Sequence, residues 1–385
     1  MIRAPKRRRP ALAPVLTGLV RTGLVLAGMA LATGPGAARA QTASETARPD
    51  YAALIPALVR EVAVPATEAL EARLRDLRGR IDDVCAAEAG EAARDAFRDA
   101  FAGAVAAQGR LAVLRFGALA EDTRLERLAF VPDRRNVVWR QVTRLTASRD
   151  PGATDPDVLR DKSVALQGLT ALEWIAFGGD GEVRLAAEAD DGFACAYARA
   201  LGARLSDLAL EIRTAYETPT GQTAQLLAPG PDNALAQTEK AAAGFAFNQL
   251  TTSLSLMADQ VLTPVLEPGP AEARAARAPF ARSHLAARHL AASIDGFAEA
   301  LRRAGYTRAA PDLAWMDNTL AFEAKNAGRA LAALPADLAV ALADEDDRQR
   351  LIYVRAILTG LQSMVGGQLA GALDFEGGFN ALDGD

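Results

Sequence analysis

The sequence predicts an all-α protein made of two packed helical bundles of about four helices each. Three observations carry that expectation. Half of the 385 residues are hydrophobic and only 5% are aromatic, with Ala and Leu dominant, a balance that favours helix over strand. Apolar residues recur at spacings of three and four along most of the chain, and no run alternates with the period of two of a half-buried strand. One proline- and glycine-bearing stretch, residues 218–233, has no helical period and separates two halves that each hold several long helices.

The N-terminus reads as an export signal. Lys6, Arg7, Arg8 and Arg9 form a basic head, an apolar run extends from Leu12 to Leu31, and small residues end in Ala38-Arg39-Ala40. A membrane anchor would need roughly 20 unbroken apolar residues, whereas Arg21 and several glycines interrupt this run. The expected organisation is therefore a cleaved signal peptide over 1–40, an N-terminal bundle over 41–217, a linker over 218–233 and a C-terminal bundle over 234–385. The mature chain is expected in the periplasm or cell envelope, with no later transmembrane segment. A net charge of −5 with basic residues scattered among acids gives no field for nucleic acid.

Leu70, Leu74, Leu77, Ile81 and Val84 mark the first long helix, and Phe97, Phe101, Val105 and Leu111 mark the second. Val131-Pro132-Asp133 reads as a further helix start, which places Arg134 and Arg135 in a first turn where the helix dipole disfavours cations. They are either solvated or held there for an acidic partner. Asp155 and Pro156 resemble an N-cap and an N1 proline, opening a helix expected to run to Phe177 and to stop at Gly178 and Gly179. Phe193 to Glu217 follows. Beyond the linker, helices are expected near Ala234–Leu266, Pro279–Ala304, Pro311–Leu334 and Asp344–Leu373.

Cys85 and Cys195 are the only cysteines. In an oxidising compartment an even pair reads as one disulfide, the alternative being two buried free thiols. Closing a loop of about 110 residues contributes on the order of 4–5 kcal/mol in the chain-entropy treatment.

Zinc-protease, P-loop, dinucleotide and C-x-x-C signatures are all missing. The two histidines, His284 and His289, lie five residues apart on an expected helix and so diverge by about 140° at roughly 100° per residue. One helix cannot present both to a metal. Glu173 is the sharpest chemical question, because its helical neighbours Leu166, Leu169, Thr170 and Phe177 are nearly all apolar. A carboxylate so placed must find a buried partner, bind something, or stay protonated. Arg134, Arg135 or Arg282 are candidate partners. A bundle metal site is the other reading, with Asp317 and Glu323 as contributors.

Gly168-Leu169-Thr170-Ala171-Leu172-Glu173 resembles the GxHxxE segment of the imelysin-like family. Arg115–Leu128, Pro132–Arg135, Ala281-Arg282-Ser283 and the ending Gly378–Asp385 resemble it too. The resemblance implies an exported protein of two helical bundles, associated with the bacterial cell envelope and iron uptake, in a family named for an insulin-cleaving metallopeptidase. Gly168 and Glu173 match the motif, but Thr170 stands where the motif has His. A threonine hydroxyl is a poor ligand for a borderline metal, although it hydrogen-bonds a carboxylate readily.

The expected function is a non-catalytic binding or accessory role in iron or haem acquisition. The expected pocket is polar, lies around Thr170 and Glu173, and has Gly168, Arg134, Arg135, Arg282 and Ser283 as further site residues. Glu173 is the candidate ligand for iron or another divalent metal, and a small ligand or an envelope protein is the other expected partner. The alternatives are a metal-dependent peptidase of the imelysin type, disfavoured by the missing His, and a helical interaction scaffold in which Glu173 is structural.

Overall fold

The stripe from Leu70 to Val84 is wholly buried and forms the inner face of α1 (Val64–Val84). It is the first long helix in a computed structural model that describes residues 49–187 and 192–375. The expected signal peptide and the ending Gly378–Asp385 lie outside the described residues. A π-helical turn, Leu58–Ala63, leads into α1. α2 (Glu91–Leu111) returns along it, burying Phe97, Phe101, Val105 and Leu111.

Four short helices follow: α3 (Arg124–Leu128), α4 (Val137–Ser148), α5 (Pro156–Arg160) and α6 (Gly168–Ala176). The long α7 (Phe193–Glu217) then packs on α1. After it come α8 (Gly221–Leu227), α9 (Glu239–Ser255), α10 (Ala271–Ala275) and α11 (Ala286–Ala304). Then come α12 (Trp315–Ala332), α13 (Leu338–Ala343) and α14 (Glu345–Ser363), which continues through a π-helical turn, Met364–Leu369, into Ala370–Ala372. Among the described residues the only strand-like pairing is one bridge, Phe177 to Val183. The fold is all-α, as the composition implies.

The early and late helices meet where α2 packs against α11. Glycines set that approach. A Cβ on Gly109 would lie 2.9 Å from the carbonyl oxygen of His289, and one on Gly296 would lie 2.6 Å from that of Arg110. Either contact is closer than real Cβ atoms tolerate, so glycine on each helix lets the backbones touch. Cys85 and Cys195 form the expected disulfide, which ties the end of α1 to the first turn of α7 across 110 residues.

Four elements differ from expectation. The helix opened by Asp155 stops at Arg160 instead of running to Phe177. Gln167 explains the stop: its side-chain amide donates to the carbonyls of Arg160 and Lys162, satisfying acceptors that a longer helix would have used. The helix expected from Pro279 begins at Ala286, because the backbone turns left-handed at Phe280 and His284. The helix expected at Val131 begins at Val137, after a cis Val131–Pro132 peptide and a left-handed Asn136. Residues 221–227, inside the linker stretch, are helical.

Candidate functional site

Gly168 starts α6 with φ +79°, a region that favours glycine. A Cβ there would sit 2.5 Å from the carbonyl oxygen of Arg127 and 2.6 Å from that of Leu128. Gly168 therefore lets α6 begin directly against the end of α3. It holds the helix in place and does not line the cleft described below.

One turn further along α6, Thr170 and Glu173 point the same way, as their spacing of three requires. The Thr170 hydroxyl oxygen accepts from the Phe130 N–H at 3.2 Å. Glu173 is only 4% exposed. Its Oε1 accepts from the Ser283 backbone N–H at 2.8 Å and from the Ser283 hydroxyl at 2.7 Å. Burial pushes the Glu173 carboxyl up to about 7, while Ser283 and, to a smaller degree, the charge and backbone of Arg282 pull it back.

Arg282 is close but makes no ion pair with Glu173 among the described residues. Its guanidinium lies 4.6 Å from the centroid of the Trp174 ring, a cation–π contact worth about 1 kcal/mol. Its Nε donates to the Phe177 carbonyl just past the end of α6. Burial lowers the Arg282 pKa, with Glu173 acting in the opposite direction. The loop of residues 279–285 thus grips α6 twice, once at the carboxylate and once at the C-terminus.

Thr170, Glu173 and Trp174 open onto a cleft of about 320 Å³, the size of a small-ligand site. Its other walls are Phe130, Asp133 and Asn136 ahead of α4, Trp139 on α4, Glu272 and the stretch 275–282, His284, and the start of α13 at Asp337. Asp133 accepts from the N–H groups of Val137 and Val138, both at 2.8 Å, and so caps α4. Asp337 caps α13 in the same manner through Ala339 N–H. Three residues other than glycine that border the cleft, Asn136, Phe280 and His284, have left-handed backbones. Such strained positions cluster at functional sites.

The structure thus brings together Thr170, Glu173, Arg282 and Ser283 from the predicted set. Arg134 and Arg135 are exposed and do not line the cleft. Asp317 is engaged elsewhere, by Arg302 and Thr307, and Glu323 is not part of the cleft. Sequence reasoning missed Asp133, Trp139, Glu272, His284 and Asp337. His284 was legible only as the neighbour of His289. The two do not share a helix: His289 is buried on α11 with Nε2 3.0 Å from Gln108 Oε1, while His284 lies in the loop ahead of α11 with its ring against the backbone of Gly181.

Among the described residues no three His, Cys, Asp or Glu side chains form a group able to hold a metal ion. The donors at the motif do not fit a resident divalent ion as they stand. One oxygen of Glu173 is engaged twice by Ser283, and the Thr170 oxygen accepts from backbone. The arrangement suits recognition: a buried, adjustable carboxyl, a hydroxyl and two indole rings around one cavity.

Against curated proteins the chain has no match. Two solved structures resemble it in fold. An imelysin-like protein from Psychrobacter arcticum 273-4 superposes with a TM-score of 0.64 at 18% identity, covering 86% of this chain and 97% of that one. A candidate iron-regulated protein A precursor from Parabacteroides distasonis ATCC 8503 superposes with a TM-score of 0.62 at 12% identity, covering 83% of this chain and 96% of that one. The sequence model of the family described as Imelysin matches residues 63–364, from the start of α1 to the end of α14. The chain belongs to the imelysin family.

Proposed function

We propose that this protein is an exported, non-catalytic binding or accessory protein of the cell envelope that serves iron or haem acquisition through the Thr170–Glu173 cleft. The observation that carries the reading is Glu173 itself. A carboxyl held almost out of water, anchored by Ser283 and facing a ligand-sized cavity, is costly unless something uses it. The likeness to a structure named for iron regulation supports the iron connection. Arg282 and Ser283 act as positioning residues for Glu173, and Gly168 fixes the helix that carries it. Arg134 and Arg135 flank Asp133 on the outer surface, where they can meet a partner protein. In this reading 41–217 and 234–385 are the two bundles and 218–233 joins them.

The test is thermal melting of the mature protein with haem and with ferric chelates of both cationic and anionic charge, wild type beside Glu173→Ala. A ligand-dependent rise in Tm that disappears in the variant is expected. No shift with any such ligand would remove the reading. Chelator-sensitive peptide cleavage lost in Glu173→Gln would replace it with a peptidase.

A further inference from the structure

The chemistry of the cleft says more about its ligand than the motif does. Four carboxylates line it, Asp133, Glu173, Glu272 and Asp337, against two guanidiniums, Arg277 and Arg282. Neither guanidinium is available to an anion in full. Arg277 pairs with Glu267 at 2.6 Å, and Arg282 is laid on Trp174 and bonded to the Phe177 carbonyl. Asp133 and Asp337 are engaged by helix N-termini. Glu272, by contrast, is exposed and its carboxylate has no ion-pair or hydrogen-bond partner among the described residues. The second indole of the cleft, Trp139, is 47% exposed, and no cation lies over it among the described residues. Thr170, where the resembling motif has a histidine, adds a neutral hydroxyl instead of a basic ring. The cavity therefore offers an open aromatic face and an unpaired carboxylate inside a negative surround, the combination that attracts cations through the ring quadrupole and the local field.

Resting on the binding reading above, we propose that the cleft selects an organic cation, with the Trp139 face and the Glu272 carboxylate receiving an ammonium or guanidinium group. Cationic chelates and amine-bearing small molecules belong to this class. Size-matched anions do not.

The three tryptophans are Trp139, Trp174 and Trp315, and only the first two line the cleft. A Trp315→Phe background therefore leaves indole emission reporting on the site. Choline, spermidine and arginine amide are titrated against citrate, glycerophosphate and glucose. The cations are expected to change the emission saturably, with Trp139→Ala weakening them about tenfold and Glu272→Gln about threefold. Both side chains are surface-exposed, so the variants are expected to melt near the parent temperature. Anions or neutral probes that bind as tightly as the cations would overturn the inference. So would cation binding that neither variant weakens. If no cationic probe binds while haem or an anionic ferric chelate shifts the wild type and not Glu173→Ala, the cation inference fails and the binding reading stands. If nothing binds, both fail.

Discussion

Ser283 gives both its backbone N–H and its hydroxyl to the same carboxylate oxygen of Glu173, at 2.8 and 2.7 Å. The two residues lie 110 positions apart, so this pair closes one wall of the cleft onto the other. The Ser283 hydroxyl stabilises the charged form of Glu173, and its loss leaves the buried oxygen with a single strong donor.

Ser283→Ala is therefore expected to cost about 1–3 kcal/mol in urea unfolding. It is also expected to move the Glu173 ionisation above its present value of about 7. Infrared difference titration of the carboxyl band, wild type against variant, checks the second part. An unchanged midpoint would show that the hydroxyl does not hold the carboxylate.

The pH dependence of stability has two opposing contributors. Glu173 is raised from 4.5 to about 7, so the folded state holds its proton more tightly. Its favourable contribution is complete below pH 4.5 and is lost as pH rises through 7, about 3 kcal/mol in all. His289 is lowered by burial from 6.5 to about 4, so its contribution is present above pH 6.5 and is lost, by a similar amount of about 3 kcal/mol, as pH falls through 4. Between pH 4.5 and 6.5 the two slopes cancel. Glu173→Gln is expected to expose the histidine slope, with stability rising with pH across that window. The charged and titratable groups around Glu173 are Arg282 beside it and Asp133, Glu272, Arg277, His284 and Asp337 in the cleft lining. All of them remain in the variant, so the difference between the two urea-stability profiles isolates Glu173. A flat difference profile would refute the assignment.

Gly168→Ala is expected to destabilise by at least about 2 kcal/mol, because it adds a Cβ in a left-handed conformation against two carbonyls. Gly179, which has open space around its Cβ position, is the control, and Gly179→Ala should remain within about 0.5 kcal/mol of wild type. Chemical denaturation of both variants decides whether the first glycine of the motif acts through backbone placement.

Cys195→Ser is expected to lower stability by on the order of 4–5 kcal/mol relative to the oxidised protein. Reduced wild type should match the variant. Paired melts with and without a thiol reductant check it. Equal stability of reduced and oxidised wild type would show that the bond does not constrain the unfolded chain.

The helical class was legible because it rests on periodicity, which each segment carries by itself: Leu70 to Val84 predicts its own buried face. Glu173 stood out for the same reason, as one acid among local apolar neighbours. Its partner did not. Arginines at 134, 135 and 282 were reasonable candidates by charge, but the hydrogen bonds come from Ser283, a residue with no charge to advertise it. Asp133 reads in the sequence as an ordinary helix start, and Asp337 carries no signal at all; in the structure both accept from helix N-termini. Only the folding of α4 and α13 to the same cavity makes them site residues. The helix boundaries at Gly168 and Ala286 were hidden because a side-chain amide in one case and left-handed turns in the other ended what the apolar pattern would have continued.

The 110-residue gap between Glu173 and Ser283 also sets an order of events during synthesis. The motif helix is made complete, with its acid, long before the loop that quenches that acid leaves the ribosome. Until then Glu173 has no reason to leave water, and the cleft has only one side. The finished cleft therefore requires the chain to be made at least as far as Ala339, the last residue that lines it.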